Sequence, residues 1–217
     1  MKKQRICMLL VLLLALSCAA CGVNGAPQAS HAPSAAPTAA PEMEAAPETE
    51  SGSELHHVEI SIRDYGTVKL ELDAAAAPVT VQNFLDLAGR GFYDGLTFHR
   101  IMDGFMIQGG DPEGRGTGGS GTNIQGEFAA NGWDNPISHK KGVISMARAR
   151  SYDSASSQFF ICVGDAEFLD GQYAAFGRVT EGMEIVEQIA RDARPIDNNG
   201  TIPAEQQPVI ESIKVID

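Results

Sequence analysis

Cysteine is nearly absent from the part of the chain able to fold. Of four cysteines in 217 residues, Cys7, Cys18 and Cys21 lie near the N-terminus, leaving Cys162 alone in the body. That excludes an internal disulfide there. Cys162 sits in the apolar run Phe159-Phe160-Ile161-Cys162-Val163, where a small buried side chain is expected rather than a reactive thiol. Long hydrophobic runs are missing too: the stretch from Ile6 to Leu16 is too short to span a bilayer comfortably. Basic residues are scarce. The formal charge is −12, and residues 55–217 hold 13 Lys and Arg against 23 Asp and Glu. This argues against nucleic acid as a partner and against docking on anionic lipid. No His, Cys, Asp and Glu cluster has metal-ligand spacing, and no Ser-His-Asp spacing is visible. His56-His57 is a solvated strand start, because adjacent strand residues point to opposite faces. No metal and no cofactor is expected, and there is no internal repeat.

The N-terminus is better marked. Met1-Lys2-Lys3-Gln4-Arg5 is a basic region, the Ile6–Leu16 run follows, and Ser17-Cys18-Ala19-Ala20-Cys21-Gly22 is a small-residue cleavage zone. Together they form a secretory signal. A cysteine after small residues resembles the lipobox of bacterial lipoproteins, where the new N-terminal cysteine carries lipid. Cys21, after Ala-Ala and before Gly, fits that junction; Cys18 is the alternative, and an ordinary cleaved signal without lipid is the third reading. Residues 22–54 are rich in Ala, Pro and Glu and contain no Lys or Arg. They cannot bury enough apolar surface to offset chain entropy, so a disordered tether is expected. As a loose coil it spans roughly 30 Å. The expected organisation is a lipoprotein-type signal peptide over 1–21, the tether over 22–54 and one domain over 55–217, lipid-anchored outside the cytoplasm.

The body alternates. "HHVEISIRDYGTVKLELD" switches between apolar and polar on both sides of Asp64-Tyr65-Gly66, the pattern of a β-hairpin. "APVTVQNFLDLAGRG" (77–91) forms a helix with Pro78 in its first turn and Val81, Phe84, Leu85 and Ala88 in a stripe. Short strands follow at 95–102, 105–109, 142–147, 158–163 and 174–180, a second helix at Met183–Ala190, and a closing strand at 209–217. Many short strands, few helices and no βαβ rhythm point to a closed antiparallel β-barrel. "GRGTGG" (114–119) matches G-x-G-x-x-G, but no helical pattern follows it, so it is a glycine loop and not a dinucleotide site.

"FHRIMDGFMIQGGD" (98–111) sets one charge, Arg100, among Phe98, Ile101, Phe105, Met106 and Ile107. A guanidinium cannot be neutralised to suit such surroundings. A turn centred on Gly104 places Arg100 opposite Gln108, whose carbonyl can hold the cation without neutralising it. The bland alternative is a surface bridge to Asp103 or Asp111.

"FHRIMDGFMIQGGD", "GTGGSG", "GVISMARA", "SSQFFICVGDAEFLDGQYAAFGRV" and "VIESIKV", in this order, resemble the cyclophilin family of peptidyl-prolyl cis–trans isomerases from about residue 58 to the end. The resemblance implies an eight-stranded antiparallel barrel capped by two helices. It implies Arg100 as the catalytic arginine and Gln108 as the glutamine that orients it. Phe105, Met106, Phe160 and Leu169 match the apolar pocket for the proline ring. Ala147 and Arg148 match the pair whose backbone binds the substrate chain, and Gln158 a further polar contact. Phe168 and Tyr173 stand in the groove where many eukaryotic relatives have Trp and His. Phe168 lacks the indole N–H that helps bind cyclosporin, which implies weak inhibition by that drug. "RARSYDSASS" (148–157) departs from the family pattern and alters the groove's rim. The implied activity is isomerisation of X-Pro amides in secreted or envelope proteins by a monomer whose partners are proline-containing polypeptides. The competing reading is a non-catalytic module that holds Pro-containing segments in the same groove.

Overall fold

The computed structural model describes residues 54–217; the expected signal, the tether up to residue 53, and Cys18 and Cys21 lie outside the described residues. One antiparallel sheet of eight strands forms the body. In chain order these are β1 (Leu55–Ile62), β2 (Gly66–Asp73), β3 (Thr97–Met102), β4 (Met106–Asp111), β5 (Val143–Met146), β6 (Phe159–Cys162), β7 (Ala175–Glu181) and β8 (Ile210–Val215). Helix α1 (Pro78–Gly89) follows β2 and α2 (Met183–Asp192) follows β7. Spatial order is β3-β4-β6-β5-β7-β2-β1-β8. Every expected strand and both helices are present, with ends shifted by a few residues.

Full closure, expected from the sequence, is not what forms. β3 and β8 are the two edges, joined by the single bridge Thr97↔Val209 and a few backbone hydrogen bonds, such as Phe98 N–H to the Pro208 carbonyl. The rest of β3 runs beside residues 199–202 instead, with Ile101 N–H on the Gly200 carbonyl. Pro203 and Pro208 flank a short 3-10 turn (Ala204–Gln206), and proline cannot donate to a ladder. The sheet is therefore a curled half-barrel.

Its concave face holds the main core. Val58, Ile60 and Ile62 of β1 and Val68, Leu70 and Leu72 of β2 point inward, with Glu59, Ser61, Lys69 and Glu71 between them. Phe84 of α1 enters this core with its ring centroid 5.1 Å from Tyr93, 5.4 Å from Phe159 and 5.3 Å from Phe176. Each fully buried side chain of this size contributes about 1.5–3 kcal/mol. Ala77 offers no side-chain cap to α1. The cap comes from a distant loop: the buried Glu127 carboxylate accepts the N–H groups of Val79 (3.0 Å) and Thr80 (2.8 Å) and the Thr80 hydroxyl (2.7 Å). An anion at a helix N-terminus satisfies orphan donors and complements the helix dipole.

The central strands are apolar on both faces. In β6, Phe159 and Ile161 join the main core, while Phe160 and Cys162 point to the other side. There they form a second cluster with Met106, Val143, Ala166 and Ala175. This outer cluster underlies the site.

Close approach of β7 to β2 makes one residue strict. A Cβ on Gly177 would clash with the Glu71 carbonyl oxygen and lie 2.9 Å from Leu72 Cα. Both are backbone atoms that cannot swing aside. Gly177→Ala is expected to destabilise by about 1–3 kcal/mol. Calorimetry should show Tm lowered by roughly 2–4 °C for each kcal/mol; an unchanged Tm would mean the strands have room to separate.

Candidate active site

Phe98 and Ile101 both face the main core, although three positions apart they should point to opposite sides of a regular strand. The pairing resolves this. Phe98 pairs with Gly109 and Arg100 with Gln108, so His99 is an extra residue, a β-bulge. The bulge turns Arg100 to the outer face while its apolar neighbours stay inside. A turn over Met102–Phe105, closed by Phe105 N–H on the Met102 carbonyl and carrying Gly104 at φ 73°, sets the register. Arg100 thus opposes Gln108, as the sequence indicated. The row continues: Gln108 pairs with Phe160, and Phe160 with Ser145. Four strands place Arg100, Gln108, Phe160 and Ser145 side by side.

All four hydrogen-bond acceptors of Arg100 are uncharged. Nε donates to the Asn199 carbonyl at 2.7 Å and Nη1 to Gln108 Oε1 at 3.1 Å. Nη2 reaches Met102 Sδ at 3.3 Å and Nη1 reaches Met106 Sδ at 3.9 Å. Gln108 is held in turn: its Nε2 donates to Gln158 Oε1 (2.9 Å), and Gln158 Nε2 donates to the Gly118 carbonyl (2.8 Å). Burial lowers the Arg100 pKa from its ordinary value, with Tyr173 and Asp197 opposing, yet an arginine stays charged. The Asp bridge weighed above does not form. Asp111 is occupied by its own loop, accepting the N–H groups of Glu113 (2.8 Å), Arg115 (3.0 Å) and Thr117 (3.0 Å). Burial pushes its carboxyl up, but these backbone donors outweigh that and hold it below the usual carboxylate range. The "GRGTGG" segment is this wrapping.

Beside Arg100 lies a cavity of about 200 Å³ lined by Phe105, Met106, Gln108, Ala147, Arg148, Phe160, Leu169 and Tyr173. Gln158 lies outside it and lines an adjoining cavity of about 490 Å³ together with Gln108, Ala147 and Arg148. Phe168 lines neither. It is 72% exposed and stands at the rim with its ring 5.5 Å from Phe105. Ala147 N–H bonds to the Gln158 carbonyl at 2.9 Å. The structure therefore brings together every groove residue singled out from the sequence, with Phe168 at the margin.

Three features escaped the sequence. The Asn199 carbonyl is the shortest contact to Arg100; it sits in a loop where Asp197 Oδ1 accepts Asn199 and Thr201 N–H (3.0 Å each). "DNNG" signals a turn, but not its place beside β3. Second, no Ser-His-Asp spacing is visible in the sequence, yet the fold assembles one. Ser145 Oγ lies 2.9 Å from His139 Nε2, and His139 Nδ1 lies 2.8 Å from Asp170 Oδ1. Ser145 and His139 are fully buried, so no acyl substrate reaches the hydroxyl. The His139 ring instead stacks on Phe160 (6.0 Å, 16°) and supports the cavity floor. Third, the bulged His99 is 4% exposed and neither ring nitrogen has a hydrogen-bond partner.

Burial holds the His99 imidazole below its ordinary value; Asp111 opposes this and Arg100 adds to it. A depressed histidine takes up its proton more readily in the unfolded chain. Stability is thus complete above the unfolded value near 6.5 and is lost as pH falls below it, at up to about 1.4 kcal/mol per pH unit. His139, also lowered by burial, acts in the same direction. Thermal melts at pH 7 and pH 5 should show a smaller Tm decrease for His99→Gln than for the wild type. An equal decrease would mean that His99 is protonated without cost.

Comparison with known proteins agrees with this geometry. The family described as "Cyclophilin type peptidyl-prolyl cis-trans isomerase/CLD" matches residues 57–215. A peptidyl-prolyl cis-trans isomerase of Helicobacter pylori is 48% identical over 126 residues, covering 57% of this chain and 74% of that protein. Peptidyl-prolyl cis-trans isomerase B of Bacillus subtilis is 45% identical over 129 residues, 59% of this chain and 87% of that one. Among solved structures, a Cryptosporidium parvum cyclophilin type peptidyl-prolyl cis-trans isomerase superposes with a TM-score of 0.66 at 30% identity, covering 75% of this chain and 98% of the other. A structure of that isomerase in the presence of the dipeptide Ala-Pro gives 0.65.

Proposed function

The chain belongs to the cyclophilin-type peptidyl-prolyl cis–trans isomerases, and on that footing we propose that Arg100 is the group that acts on the X-Pro amide. The protein is a peptidyl-prolyl cis–trans isomerase. The barrier to be lowered is about 18–20 kcal/mol and comes from C–N double-bond character. Twisting that bond breaks conjugation and leaves a lone pair on the prolyl nitrogen. A fixed donor aimed at this nitrogen helps only while the amide is twisted, so it binds the transition state better than the ground state.

The observation that carries this reading is a guanidinium held by uncharged acceptors at a cavity of about 200 Å³ with Phe105, Met106, Phe160 and Leu169 among its walls. The pyrrolidine ring enters among Phe105, Met106, Phe160 and Leu169. Gln108 orients the guanidinium, and Gln158 fixes Gln108. The backbone of Ala147 and Arg148 takes the substrate chain, while Tyr173 and Phe168 complete the groove. The chemistry transfers no proton, so Arg100 works as a permanent cation.

A protease-coupled assay of the full chain on an Ala-Pro-Phe peptide tests this. Arg100→Ala should lose about 10²-fold or more of kcat, the scale for removing one preorganised donor. Unchanged turnover would assign the reaction to another group.

The same chain is proposed to work outside the cytoplasm as a monomer on a lipid anchor. The basic Met1–Arg5 region, the Ile6–Leu16 run and Ala19-Ala20-Cys21-Gly22 support this. The Ala/Pro/Glu-rich stretch over 22–54 then lifts the domain off the membrane toward unfolded secreted chains. In a bacterial host fed radiolabelled palmitate, the full chain should take up label and Cys21→Ala should not. Label lost only in Cys18→Ala would move the acceptor to Cys18, and an unlabelled wild type would contradict the anchor.

A further inference from the structure

Arg148 enters the reading above only through its backbone, yet its guanidinium stands over three aromatic rings. Its guanidinium carbon lies 4.7 Å from the Tyr173 ring centroid, 5.1 Å from Phe128 and 5.1 Å from Tyr152. Nε donates to the Gln172 carbonyl at 3.0 Å and Nη1 to the Ala149 carbonyl at 3.1 Å. Three rings and two carbonyls hold one planar group, and no carboxylate is among them. Each ring comes from a different segment: Phe128 from the loop that also caps α1, Tyr152 from the 148–157 loop, Tyr173 from the cavity wall. Tyr152 is otherwise exposed and meets Phe128 edge-on at 5.4 Å. Tyr173 meets Phe160, the cavity floor, edge-on at 6.0 Å.

We propose that the Arg148 side chain is a positioning residue that fixes Tyr173 as the wall of the proline cavity and couples the 148–157 loop to it. The physical basis is that a cation over an aromatic face is attracted by the ring quadrupole. The Nε bond to Gln172 restrains the backbone one residue before Tyr173. A cage around Arg148 thus sets the wall angle, and the loop supplies part of the cage through Tyr152. Without the guanidinium, Tyr173 gains rotamers that fill or widen the cavity, and ground-state binding weakens before chemistry does. The proposal rests on the 200 Å³ cavity being the proline site.

Steady-state kinetics on an X-Pro peptide with the full chain separate the possibilities. Arg148→Ala should raise KM about fivefold, equivalent to about 1 kcal/mol at tenfold per 1.36 kcal/mol, and leave kcat close to wild type. Arg148→Lys, which keeps the charge, should recover part of the loss. In a Tyr173→Ala background, Arg148→Ala should add nothing further, because the coupling runs through that ring. Tyr152→Leu removes one wall of the cage from an exposed position and should raise KM in the same direction, which keeps the test available if Arg148→Ala folds poorly. A wild-type KM in Arg148→Ala, or an equal loss with and without Tyr173, would overturn the proposal. A wild type inactive on the peptide would instead overturn the assignment of the cavity itself.

Discussion

A positive charge must be kept next to apolar side chains without an acid to neutralise it. Most of the local structure around β3 follows from that requirement. A carboxylate partner would tie the guanidinium into an ion pair and leave little attraction for a developing lone pair. Uncharged acceptors hold it in place and leave its charge available. The one acid within β3 and β4, Asp111, is kept away by a loop folded around its carboxylate. Asp197 is likewise turned onto its own backbone. The donors that occupy both acids are main-chain N–H groups, which substitutions of side chains leave in place.

The half-barrel serves the same end. A sheet with one buried face would leave Phe160 and Met106 exposed. Here the central strands bury both faces, and the segments between β4 and β5, and between β6 and β7, cover the outer one only in part. What remains uncovered is the groove. Its floor rests on the Ser145–His139–Asp170 hydrogen bonds, and its wall on the rings around Arg148. A polar network is worth most when every member is satisfied, and this one runs from the buried Ser145 and His139 to the exposed Asp170, tying β5 to the segment carrying Leu169 and Tyr173.

Some of this was legible in the sequence because it depends on neighbours along the chain. Alternation in 56–73 specified a hairpin, and Gly104 specified the register that pairs Arg100 with Gln108. The pocket residues came from resemblance across several motifs rather than from periodicity, since Phe160 and Cys162 look like core in any buried strand. What stayed hidden depends on distant segments. Ala77 gives no hint that Glu127 caps α1. Nothing near Arg100 announces the Asn199 carbonyl. The bulge at His99 is a pairing fault visible only once two strands meet. Closure was overestimated because strand count says nothing about whether Pro203 and Pro208 permit a final ladder.

The central claim is that a fixed cation stabilises a twisted amide and that no proton moves. The ratio of kcat/KM in H2O to that in D2O tests it directly. A fixed donor that keeps its proton predicts a ratio of about 1. A ratio of about 2 or more, the mark of a proton in flight at the transition state, would contradict the account and require a general acid in the groove.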